Sequence, residues 1–289
     1  MDLIQLNKKI FQGRVHSKQR KVLFLFIILA LAILSVFILL QLKESKELKK
    51  DEQIKKKLIE EKSKDDEENK SQDQKKNKQL IRLKKKYPDM VGWVEIKGTD
   101  FSYPVMQSGK KNHHEDDSEF YLNRNVYGEV SATGTPFLDS RCDIDSDELI
   151  IYGHNMTGKT HFGFLQNYRD EEFYKKHKMI CFTKVGGMEE KYDILSVLVT
   201  DIYSDCFKNT DAYNDEEYKS FIEEIINRSL YQCDIADEVK TNMKKDSVEE
   251  FFHKYQLITL ATCRTGEGRD ARLLVIGCRE RTIGPSAQK

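Results

Sequence analysis

Cys263 ends the run Gln256-Leu-Ile-Thr-Leu-Ala-Thr-Cys, and a polar, glycine-containing loop follows it. An apolar run of that length bounded by such a loop reads as a strand. The thiol therefore sits at a strand end, where side chains meet clefts. Near its ordinary pKa of about 8.5, a thiol is only ~3% thiolate at pH 7 and needs a neighbouring base or cation. His154 is the candidate base, because the run Leu149-Ile-Ile-Tyr-Gly delivers it to the start of a loop. His161 is its best competitor, whereas His113 and His114 lie in a polar loop and read as solvated. Arg272 opens a further apolar run, Leu273-Leu-Val-Ile-Gly, where a guanidinium is partly desolvated. It cannot act as a base, but it can offer two parallel hydrogen bonds to a carbonyl oxygen that turns negative under attack. A structural ion pair to Asp270, Asp139 or a glutamate is the competing reading, and Arg264 and Arg269 are alternative cations.

The elements that must position these groups begin at Tyr87. From there, alternating apolar and polar residues broken by Gly and Pro predict strands and turns, as in YPDMVGWVEIKGTDFSYPVMQ and KYDILSVLVTDIY. The stretch NDEEYKSFIEEIINRSL places Tyr218, Phe221, Ile222, Ile225 and Ile226 at helical spacing, with Asn214 or Asp215 able to cap it. A mostly β domain, a barrel or a sandwich, with one helix inserted late is expected. The six cysteines form no Cys-x-x-Cys pair, so neither a metal site nor a cofactor is expected. Their scattered spacing predicts mostly free thiols, with Cys278 packed in its strand.

The first part of the chain is of another kind. Basic and acidic residues balance at 48 each, which argues against a nucleic-acid partner. Residues 22–42 carry no charge, and as a helix they reach about 31 Å, the thickness of a bilayer's apolar core. The run is too long for the apolar core of a signal peptide, and an uncleaved single-pass anchor is expected. Lysines crowd both flanks, so charge alone does not fix its orientation. Residues 43–86 are dominated by Lys, Glu, Asp, Gln, Asn and Ser and read as a charged, partly helical stalk. The expected organisation is a tail over 1–21, an anchor over 22–42, a stalk over 43–86, a catalytic domain over 87–283 and a tail over 284–289.

Taken together, YGHNM, ITLATC and an arginine opening the next strand resemble the sortase family, the membrane-anchored cysteine transpeptidases of Gram-positive bacteria. The helix-bearing insertion before YQLITLATC, together with FYLNRN and GTPFLD, is most similar to class B. The resemblance spans about residues 87–280. It implies an eight-stranded β-barrel with added N-terminal helices and no cofactor. It also implies roles for Cys263 as nucleophile, His154 as general acid and base, and Arg272 as oxyanion or substrate stabiliser, with Thr262 and Asn123 as substrate-groove residues. Its implied partners are secreted proteins bearing a C-terminal sorting signal and a peptidoglycan amine. It places the N-terminus in the cytoplasm and the catalytic domain outside the membrane. A hydrolytic cell-wall cysteine peptidase, a pilus-polymerising sortase and a non-enzymatic anchored scaffold are the alternatives. Papain-like chains set Cys before His, the reverse of the order here, and the caspase pattern Gln-Ala-Cys-x-Gly is absent around Cys263.

Overall fold

The computed structural model describes residues 3–63, 72–108, 117–156, 160–201, 203–207, 214–263 and 270–281. Arg264, Arg269, His113, His114 and the 284–289 tail lie outside the described residues. The chain divides into two compact units, Met1–Lys50 and Asp51–Lys289. The first belongs to helix α1 (Leu3–Ser63), whose apolar side chains from Leu23 to Leu42 are exposed. Among the described residues, one helix is long and apolar enough to cross a membrane, and it is this one.

In the second unit, helix α2 (Gln72–Lys86) precedes strands β1 (Met90–Ile96), β2 (Ser102–Met106), β3 (Phe137–Leu138) and β4 (Glu148–His154). Helix α3 (Glu171–Lys176), β5 (Met179–Lys184) and the long β6 (Glu189–Asp201) follow. Then come α4 (Asp215–Asn227), α5 (Ala236–Lys245), α6 (Val248–Lys254), β7 (Tyr255–Cys263) and β8 (Ala271–Glu280). The eight strands close into a barrel in the order β1-β2-β3-β4-β7-β8-β6-β5. Closure removes the unpaired edges that an open sheet would expose. The barrel interior holds Val94, Phe101, Ile150, Phe162, Phe182, Ile194, Ile258 and Val275, all at 1% exposure or less. Truncating one of these aromatics, such as Phe162→Ala, costs about 3–5 kcal/mol in cores of this kind.

The expected helix is α4, capped by Asn214 in a capping box with Glu217, and its five apolar residues are all buried. Two more helices follow it in the same insertion. Helix α5 is mostly polar and buries only Ala236, Val239 and Met243, so its pattern is thin in the sequence. Together α4 to α6 cover the outer face of β6, β7 and β8 through Leu195, Leu198, Leu257, Leu274 and Ile276.

The 43–86 stretch differs from its reading as a spacer. Leu58 of α1 and Leu80 and Leu83 of α2 are buried with Met90 and Trp93 of β1. Asp51 accepts hydrogen bonds from the hydroxyls of Ser131 and Thr133 at 2.7 and 2.6 Å. A few leucines in a charged background suffice to fix two helices once a barrel face receives them. The folded unit therefore begins at Asp51 rather than at Tyr87.

Candidate functional site

β4 and β7 run parallel, and their register pairs Glu148 with Leu257 and proceeds residue by residue to His154 with Cys263. Both strands thus end at the same rim, with the two residues side by side. β7 and β8 are antiparallel, with Ala261 paired to Leu274. The paired register ends there, and Cys263 and Arg272 each stand two residues beyond that pair on their own strands. The Leu273 N–H donates to the Thr262 hydroxyl at 3.1 Å, which holds the register at that point. Three residues scattered along the sequence are brought to one rim by backbone pairing alone.

At that rim His154 and Arg272 line one cleft of about 1000 Å³. Burial pushes the His154 pKa below the usual histidine value, and a hydrogen bond to the Leu122 backbone opposes the shift. At neutral pH the imidazole is therefore uncharged and free to accept a proton. Arg272 donates to the Ala271 carbonyl at 3.1 Å while facing the cleft. The strand end carrying His154 is held from behind by Phe162. A Cβ on Gly153 would lie 2.4 Å from the Phe162 ring, so only glycine fits there.

The two groove residues expected from the sequence are placed differently. Thr262 is fully buried, with its hydroxyl engaged by the Leu273 N–H, so it fixes the β7–β8 register rather than lining the cleft. The alternation along a strand turns it away from the face of its neighbours. Asn123 ends a short 3-10 turn, and its carbonyl accepts from the Ser131 N–H at 2.9 Å. Its neighbour Leu122 lines the cleft in its place.

Sequence reasoning missed Arg141, Tyr152 and Phe207 in the cleft lining, and named Asp139 only as a possible ion-pair partner of Arg272. Arg141 grips Asp139 through Nε at 3.0 Å and Nη2 at 2.6 Å, and donates to the Phe207 carbonyl at 2.9 Å. The Tyr152 hydroxyl donates to the same carboxylate at 3.0 Å. Burial alone would raise the Asp139 pKa, but the Arg141 hydrogen bonds and charge override it and hold the carboxyl below its ordinary value. Tyr152 stands two residues before His154 on one strand, a spacing that puts both on one face and could have flagged it.

The five other cysteines, Cys142, Cys181, Cys206, Cys233 and Cys278, are buried free thiols. Burial pushes Cys142 up to about 12 and Cys233 up to about 11, far from thiolate chemistry at neutral pH. No grouping of His, Cys, Asp and Glu suited to a metal ion occurs among the described residues.

The fold has relatives among known proteins. No protein-family model matches the chain. Sortase B of Staphylococcus aureus is 30% identical to it over 204 residues, covering 68% of this chain and 72% of that protein. The chain belongs to the class B sortases. Sortase B of Listeria monocytogenes is 28% identical over 202 residues, again covering 68% of this chain and 72% of the relative. Among solved structures, the Staphylococcus aureus sortase B–substrate complex superimposes with a TM-score of 0.62 at 25% identity, spanning 83% of this chain and 99% of that one. Sortase B from Bacillus anthracis in complex with AAEK1 gives 0.63 at 25% identity, spanning 82% and 99%. The closed eight-stranded barrel with N-terminal helices is thus the sortase fold, and the family is that of cysteine transpeptidases.

Proposed function

We propose that this class B sortase is a membrane-anchored transpeptidase that cleaves a C-terminal sorting signal after threonine and joins the protein to a cell-wall amine. The observation that carries the reading is the β4–β7 register, which pairs His154 with Cys263. In the proposed cycle, neutral His154 takes the Cys263 proton, and the thiolate attacks the threonine carbonyl carbon. The carbonyl electrons move to oxygen, and Arg272 stabilises that oxyanion, a contribution worth about 3–4 kcal/mol at comparable sites. Collapse of the tetrahedral species breaks the C–N bond, and the imidazolium protonates the departing amine. A thioacyl enzyme remains. The incoming amine attacks the thioester carbonyl, His154 removes its proton, and the thiolate leaves and is reprotonated.

A solved relative is a complex with its substrate, which supports reading this cleft as a substrate site. In this reading residues 22–42 form a single membrane span with the N-terminus in the cytoplasm. The catalytic unit then lies outside, where secreted proteins and peptidoglycan amines meet. No cofactor enters the cycle. Cys263→Ala in the full chain is the test, with a threonine-containing sorting peptide and an added amine. Loss of both cleavage and amine-linked product, with unchanged thermal unfolding, is expected. Retained cleavage refutes the assignment, and water as sole acceptor in the wild type marks a peptidase instead.

A further inference from the structure

Among the described residues, His161 is the one non-glycine with positive φ, at 49°, and its ψ is −136°. A residue carrying a Cβ is held in such a conformation only when its surroundings impose it. The surroundings here are specific. His161 forms an antiparallel bridge with Asn155, the residue that follows His154. Its N–H donates to the Tyr103 hydroxyl at 3.1 Å, and its ring lies on the Tyr103 ring at 5.4 Å between centroids. Phe162, next in the chain, fills the space behind Gly153, and a Cβ on Gly163 would lie 2.2 Å from the Met156 carbonyl oxygen. Asn155, next to His154, is thus bridged to His161, the return point of the chain at this rim.

That return point is also tied to helix α1. Lys55 sits over the Tyr103 ring at 3.9 Å and donates to the Asp100 carbonyl at 2.8 Å. Asp51, Lys55 and Leu58 of α1 line one small hollow with Tyr103 and His161. The His161 Nδ1 is buried and has no hydrogen-bond partner among the described residues. Burial and then the Lys55 charge push its pKa down to about 4, with Asp51 opposing and His154 adding to the shift. The ring is therefore neutral at pH 7 and makes no proton transfer of its own. Its place against Asn155, not its basicity, is what it contributes.

We propose that His161 is a positioning residue that holds the His154 imidazole in register by pinning Asn155, through their bridge, against Tyr103 and helix α1. This rests on His154 being the catalytic imidazole. The N-terminal helices thereby gain a part in the chemistry, since the α1 side chains close the hollow in which the return point sits.

The test uses the full chain with His161→Gly, which accepts the positive φ, and Tyr103→Phe, which removes only the acceptor hydroxyl. Turnover is measured with a sorting peptide, and the His154 ring is titrated by NMR. His161→Gly is expected to lower kcat about tenfold with KM within twofold and to move the His154 midpoint up towards 6.5 as water enters. Tyr103→Phe is expected to move both in the same direction by less, about threefold in kcat. An unchanged kcat and His154 midpoint in both variants would overturn the inference, as would a loss of activity that tracks the unfolded fraction alone. If His161→Gly does not fold, Tyr103→Phe decides by the same two readouts. The NMR midpoint does not depend on turnover, so it separates this inference from the catalytic assignment, which fails independently if His154→Ala stays active.

Discussion

Arg279, near the end of β8, lies in a closed polar network. Its guanidinium donates to Gln256 at 3.0 and 2.7 Å and to Glu190 at 2.8 Å, and its Cζ lies 5.5 Å from the Tyr192 ring centroid. The Tyr192 hydroxyl stands 2.9 Å from both acceptors. Arg272, near the start of the same strand, faces a cleft and donates to the carbonyl of its own neighbour. The two arginines share a strand and an apolar run but differ in what adjacent strands present. Beside Arg279, β6 opens with Glu189 and Glu190, whereas beside Arg272 it offers Thr200, whose hydroxyl already accepts from Arg228 at 2.9 Å. A cation held between a carboxylate and an amide oxygen is structural, whereas Arg272 lies on the lining of the cleft.

Exchanging each arginine for alanine puts this contrast to the test. Arg272→Ala is expected to lower kcat/KM by about 10²–10³-fold, the loss of an oxyanion donor, with stability within about 1 kcal/mol of wild type. Steady-state peptide cleavage and urea unfolding check both halves. Arg279→Ala is expected to do the reverse, leaving turnover per folded molecule within about twofold. Its stability should fall by about 2–3 kcal/mol, because Glu190 and Gln256 lose their shared donor in a largely enclosed site. A similar loss of activity in both variants would erase the distinction.

The closed and open ends should also respond oppositely to acid. His161, at the open end, has a folded pKa of about 4, below the ordinary value near 6.5. Its contribution is complete above 6.5 and is lost as pH falls through 4, up to about 3 kcal/mol. Glu148, which starts β4 at the closed end, is fully buried, and burial lifts its carboxyl to about 8 against an ordinary 4.5, with the Thr259 hydrogen bond opposing. Its contribution is present below 4.5 and is lost as pH rises through 8. Urea unfolding of Glu148→Gln at pH 6.5 and 8.5 is expected to show a smaller alkaline loss than wild type, by about 1–2 kcal/mol. No difference between the two proteins would mean that Glu148 is ionised in the fold.

Much of this division was legible in the sequence, and the unreadable part has a physical reason. The runs ending in His154 and Cys263, and the run opening at Arg272, announce strands because apolar residues crowd there. That β4 and β7 lie parallel and in register, however, depends on the crossover of α3, β5, β6 and the α4–α6 insertion between them, which no local pattern encodes. The burial of Thr262 follows from strand alternation once the register is known, but before that its hydroxyl looks available. Leu58, Leu80 and Leu83 were hidden by their charged neighbours, since three leucines in a polar helix form no stripe of their own. Asp139 reads in the sequence as a possible partner of Arg272, whereas in the fold it pairs with Arg141 and accepts from Tyr152.

The most direct measurement is capture of the acyl enzyme. The full chain is mixed with a threonine-containing sorting peptide without an amine acceptor, quenched in acid, digested and mapped by mass spectrometry. The account predicts an acyl mass on the peptide bearing Cys263, absent in Cys263→Ala and strongly reduced in His154→Ala. An adduct on Cys142, Cys181, Cys206, Cys233 or Cys278, or cleavage with no covalent adduct in the quenched enzyme, would contradict it.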